Sequence, residues 1–218
     1  MNSVVIHKNT IKRYLFLCLA LIVMAFGVAM SIKANLGTSP ISSFPFVLSL
    51  LTPLSVGKAT ILLHCTLIAL QILILRRRYR PVQLIQLPVA FLFGYLTDFA
   101  VWALQGVSYT AYWQQWLLCI AGIFLVAAGV SLEVTADAVT LAGEGFVLAV
   151  CQVLPIKFGN MKVAFDVTLV AVSCLLSVLF TAKLQGVREG TVAAAVFVGL
   201  LARQFNKPLH TWFQKHLA

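Results

Sequence analysis

Eight polar residues lie within or beside strongly apolar sequence: Asn35, Thr38, Ser42 and His64 in the first half of the chain, Asp137, Thr140, Glu144 and Asp166 in the second. At membrane depth such groups are expensive and mark solute or ion pathways. The stretch KANLGTSP at 33–40 places Asn35, Thr38 and Ser39 just ahead of Pro40, where a side-chain oxygen can cap a helix and proline suits its first position. The stretch EVTADAVTLAGE at 133–144 offers Asp137 and Thr140 for the same task. A helix that begins inside the membrane presents free N–H groups and about half a positive charge, which attract an anionic or polar group. Asn35, Thr38, Asp137 and Thr140 are therefore either plain caps or ligands, and His64 is either a packing residue or a ligand. Glu144 and Asp166 have the least structural excuse. Either carboxylate can carry a proton or hold a cationic part of a solute, and His64 is the one basic group expected at their depth.

The elements that position these residues follow from composition. Of 218 residues, 61% are hydrophobic and 10% are charged, with a mean hydropathy of +0.98. A water-soluble fold needs more charge, about 25%, and disorder needs fewer apolar residues. The pattern predicts an all-α polytopic membrane protein. Six apolar segments approach the roughly 20 residues needed to span a bilayer: 14–32, 56–75, 83–104, 113–132, 159–181 and 190–205. The first is too long for a secretory signal and is expected to be a retained span. Two shorter stretches, 39–54 and 141–156, contain breakers: Pro40, Pro45 and Pro53 in one, Gly143, Gly145 and Pro155 in the other. They suit re-entrant half-helices.

The net charge of +10 is distributed as topology signals. Lys8, Lys12 and Arg13 precede the first span, and Arg76, Arg77, Arg78 and Arg80 follow the second; both clusters are expected in the cytoplasm. The connection 105–112 carries no charge and is expected outside, near the aromatic residues Trp102, Tyr109, Tyr112, Trp113 and Trp116. Arg203, Lys207 and Lys215 return the C-terminus to the cytoplasm, where the tail KPLHTWFQKHL is expected to lie along the surface. Lys33, Lys58 and Lys183 read as interfacial anchors, and Arg188-Glu189-Gly190 reads either as a capping pair or as functional.

A shift of 102 residues matches the sequence to itself without a gap. Gly27-Val28 falls on Gly129-Val130, Ala34 on Ala136, Thr38 on Thr140, Pro53 on Pro155 and Gly57 on Gly159. The polar positions follow: Ser31 meets Glu133, Asn35 meets Asp137, Ser42 meets Glu144 and His64 meets Asp166. Three spans per copy is an odd number, so the second copy enters the membrane inverted. The expected organisation is a cytoplasmic N-terminus (1–13), a first membrane repeat (14–104), an external loop (105–112), a second repeat (113–205) and a cytoplasmic tail (206–218).

Several function classes have no support. There is no GxSxG, HExxH, Walker or dinucleotide-loop motif and no room for a soluble catalytic domain, so no enzyme is expected. No cofactor and no metal site is indicated. The basic residues flank spans and do not form a nucleic-acid patch. Cys18, Cys65, Cys119, Cys151 and Cys174 sit in or beside apolar stretches and read as buried small hydrophobes.

The stretch GVAMSIKANLGTSP (27–40), the run Ala136-Asp137-Ala138 with Glu144 after it, and Arg188-Glu189-Gly190-Thr191 resemble the YczE/YyaS/YitT group of bacterial membrane proteins. The likeness runs through nearly the whole chain and is closest to the short YczE-like type, which lacks a C-terminal soluble domain. It implies a bacterial inner-membrane protein and names no substrate. Taken with the repeat, the expected function is transport of a small polar or charged solute, with or without proton coupling, through a site between the two halves. A substrate-capture subunit of a larger complex and a non-transporting sensor or assembly factor are the alternatives. The expected partners are the lipid bilayer and a small-molecule substrate, with a homodimer open as an assembly and no nucleic acid.

Overall fold

The computed structural model describes residues 10–217. Lys8 lies outside the described residues, as do the side chains of Lys207 and Lys215. All regular structure among the described residues is helical: α1 (Thr10–Ala34), α2 (Pro40–Leu51), α3 (Val56–Leu75), α4 (Gln86–Ala103), α5 (Tyr112–Ala136), α6 (Ala142–Val153), α7 (Phe158–Thr181) and α8 (Glu189–Leu217), with two 3-10 turns between α3 and α4. Five of these, α1, α3, α4, α5 and α7, are long and apolar enough to cross a membrane, the pattern of a polytopic membrane protein. α8 is the longest helix, at 29 residues, but it is not among them. It continues unbroken beyond Phe205, so the expected end of the second repeat falls inside one helix.

Local chemistry explains the breaks. α1 gives way to Asn35 at φ 53° and α5 to Asp137 at φ 47°, the left-handed geometry that short polar side chains tolerate at a helix end. Each is followed by a short link and a 12-residue helix, α2 or α6. Twelve residues rise about 18 Å, well short of a hydrocarbon core of about 30 Å. Pro40 opens α2 in the position where a missing N–H costs nothing. Pro45 sits inside the same helix and leaves the Ile41 carbonyl without its usual donor. The shift that aligns the sequence also carries the bounds of α1 onto α5 and of α2 onto α6, and the start of α3 onto the start of α7.

α1 and α5 form the central pair and run in opposite directions. A Cβ on Gly27 would stand 2.7 Å from the Val126 amide nitrogen, and one on Gly129 would stand 2.9 Å from that of Met24. Small residues let the two backbones touch, the usual device where lipid gives no hydrophobic drive. Around this pair α4 packs on α1, α8 on α5, α7 on α2 and α6 on α3. Leu17, Leu21, Met24, Val89, Phe93 and Val126 fill one core; Leu63, Leu67, Val147, Phe165 and Leu169 fill a second. At one end the link before α8 straps the link after α1. The Thr38 N–H donates to the Gly186 carbonyl (3.2 Å), the Gly190 N–H to the Leu36 carbonyl (2.8 Å), and the Arg188 guanidinium to the Asn35 carbonyl (2.9 Å).

Candidate functional site

A cavity of about 290 Å³ lies among the helices. The first turns of α2 and α6 supply Ser39, Pro40, Ile41 and Ser42 on one side and Gly143 and Glu144 on the other, with Leu141 just ahead of α6. These two starts touch, since Gly143 lies directly against the Ile41 side chain. α3 adds Thr60, Leu63 and His64; α7 adds Lys162, Val163 and Asp166; α5 adds Glu133. Most of the remaining lining is apolar, from Met24, Val28, Phe93, Val126, Val130 and the Ala194–Ala202 face of α8.

The two short helices are pinned from behind. Ser43 of α2 shares a 3.1 Å hydrogen bond with Ser173 of α7. On the other side Gln71 of α3 donates its amide to the Ala142 carbonyl (3.1 Å) and to Gln86 (3.2 Å). The helix starts are thus held against α7 and α3 while their first turns face the cavity.

Inside, the polar groups are unequally satisfied. Lys162 donates to Asp166 at 2.6 Å, an ion pair one helical turn long. The Leu141 N–H donates to the Glu133 carboxylate at 2.7 Å. Ser39 donates to Ser42 at 3.0 Å. The Glu144 carboxylate has no hydrogen bond among the described residues. His64 is 2% exposed, stacks on Phe93 at 5.9 Å, and has no partner for Nδ1. Buried polar atoms are nearly always paired, so an orphan on a cavity wall points to something that fills the cavity.

Of the eight residues singled out in the sequence, Ser42, His64, Glu144 and Asp166 line this cavity. Asn35, Thr38, Asp137 and Thr140 do not, and the expectation that all eight face one space is corrected. Asn35 is exposed beyond the end of α1. Thr38 is buried beneath the strap, with its hydroxyl unpaired. Asp137 turns its side chain outward, 85% exposed, and pairs with Arg13 at 3.2 Å. Thr140 sits part-buried in the link ahead of α6. Neither Asp137 nor Thr140 caps α6, whose N-cap is Leu141. Lys162 also corrects the view that His64 is the one base at this depth.

Sequence reasoning passed over Glu133, Thr60, Ser39 and Lys162 as site residues. Glu133 was legible as a carboxylate within an apolar helix, matched by the repeat to Ser31. Lys162 was legible from its spacing of four to Asp166. Among the described residues no group of three or more histidine, cysteine or carboxylate side chains could hold a metal ion.

No curated protein and no solved structure matches the chain. A family model matches residues 11–207, and the chain belongs to that family, the family of unknown function DUF6198.

Proposed function

We propose that this protein is a transporter of a small polar or charged solute, built from two inverted repeats of three spans and one half-helix each. The observation that carries the reading is the cavity itself. It is walled by the first turns of both short helices and contains repeat-matched pairs from the two halves, Ser42 with Glu144 and His64 with Asp166. Discontinuous helices meeting at a polar site between inverted halves are the architecture of secondary transporters. The shared bounds of α1 with α5 and of α2 with α6 support the repeat. In this reading α8 is the sixth span, both termini are cytoplasmic, and the chain resides in a bacterial inner membrane, in keeping with its resemblance to the YczE-like proteins.

Proton coupling is part of the proposal. Asp166 is committed to Lys162, whereas Glu144 has no partner of its own, so Glu144 is the better proton carrier. Its titratable neighbours in the cavity are Lys162 and Asp166 of α7, Glu133 of α5 and His64 of α3. Reconstitution into liposomes with a panel of labelled amines, amino acids, carboxylates and sugars tests the function. Uptake of one class above empty liposomes, driven by an imposed pH gradient and lost in Glu144→Gln, is the expected result. Failure of every class with a folded protein removes the transporter reading in favour of a capture subunit or sensor.

A further inference from the structure

The two halves differ in one seam. Between α3 and α4 the helices close tightly: Gly57 lies directly against the Gly94 carbonyl, and a Cβ on Gly94 would stand 2.7 Å from the Gly57 carbonyl. α7 and α8 lack this packing. At Gly159 of α7 and Gly199 of α8 no atom lies within 4 Å of where a Cβ would stand. Gly199 and Val163 both line the cavity and both are exposed, Val163 at 63%. The cavity therefore opens sideways between these helices. The exposed lining residues there, Val163, Ala195 and Gly199, are apolar, and Val167, Val196 and Leu200 beside them on the same two helices are each more than half exposed. With α8 as the proposed sixth span beside α7, an apolar mouth between these helices opens onto acyl chains, where apolar side chains need no water.

The interior has the opposite character. Glu133, Glu144 and Asp166 face a single ammonium, Lys162, which already pairs with Asp166. The free Glu144 carboxylate and the unpartnered Nδ1 of His64, itself 98% buried, are the vacant hydrogen-bonding positions. We propose that the cavity takes an amphiphilic primary amine that arrives laterally from the bilayer. Its ammonium head donates to Glu144, and its alkyl tail lies along the apolar α7–α8 mouth at Val163, Ala195 and Gly199. This rests on reading the cavity as a solute site and assigns that solute its chemical class and route.

Equilibrium binding of radiolabelled decylamine to the protein in lipid nanodiscs, against empty nanodiscs, tests it. Binding is expected to be saturable. Methylamine, the head without the tail, should compete at least tenfold more weakly, and decanoate, the tail with an anionic head, should not compete. Glu144→Gln should weaken binding at least tenfold while Glu144→Asp retains it. Gly199→Trp fills open space and should slow decylamine association several-fold with thermal unfolding unchanged. If methylamine binds as tightly as decylamine and Gly199→Trp changes nothing, the lateral route and the amphiphile are wrong while the transporter reading survives. Decanoate competing on equal terms excludes the cationic head. Absence of saturable binding for both amines overturns the proposal, and the liposome panel then decides the broader reading independently.

Discussion

Asp98 shows how a residue's surroundings decide between a functional and a structural role. A carboxylate late in a predicted span is a functional candidate by default. In the structure it accepts from the Gly57 N–H at 2.7 Å and from the Ser55 hydroxyl at 2.6 Å, so α4 caps the start of α3. Hydrogen bonds to a charged acceptor contribute about 1.5–3 kcal/mol. Asp98→Ala strands two donors and is expected to destabilise by about that much, with Asp98→Asn intermediate; thermal unfolding in detergent measures both. Asp137 makes the contrast. Its pairing with Arg13 is a largely exposed one, worth about 0–1 kcal/mol. Asp137→Asn is therefore expected to change stability and uptake by less than twofold in any rate, and a loss of uptake would return Asp137 to the site. The sequence could not separate these two aspartates, because what divides them is the partner each meets across more than forty residues of chain.

At the scale of elements the sequence was more informative. The α3 span was legible at both ends, because the apolar segment 56–75 coincides with the helix and the arginine run marks its exit. The short helices were legible as half-length from their prolines and glycines, although they begin and end inside the expected stretches once their links are formed. What was not legible is which glycines touch another helix. Gly27 and Gly129 lie against backbone atoms of the facing helix, nearer than 3 Å to where a Cβ would be. Gly27→Leu must push α1 from α5, at about 1–3 kcal/mol for overpacking and more where backbone has to move. Gly159→Ala meets nothing and removes the entropic penalty of glycine in a helix, a gain of about 0.5–1 kcal/mol. Opposite shifts in unfolding temperature for these two variants are expected. Equal losses would mean that α7 is covered by something the single chain does not contain, such as the second copy of a homodimer.

At the scale of the molecule, the two halves differ in a seam that is closed in one and open in the other. Under the repeat, Gly57 corresponds to Gly159, Gly94 to Val196 and Asp98 to Leu200. The first trio forms a tight, capped contact; the second has an apolar pair on α8 and an uncovered glycine on α7. The α3–α4 seam therefore has a polar latch that the α7–α8 seam lacks, so a closed second seam would be held by apolar contact alone and would be the easier to reverse. If access alternates, α7 must approach α8 and bring Gly159 toward Val196, as Gly57 approaches Gly94 now. A chain carrying Gly159→Cys and Val196→Cys in a cysteine-free background tests this. Oxidation with copper phenanthroline is expected to join the two positions and to halt uptake, and reduction is expected to restore it. Either single variant should be indifferent to the oxidant. Uptake that persists at its full rate in a fully cross-linked sample would mean that the seam does not move during transport. A pair that never cross-links while uptake proceeds would mean that the open seam is a fixed side door.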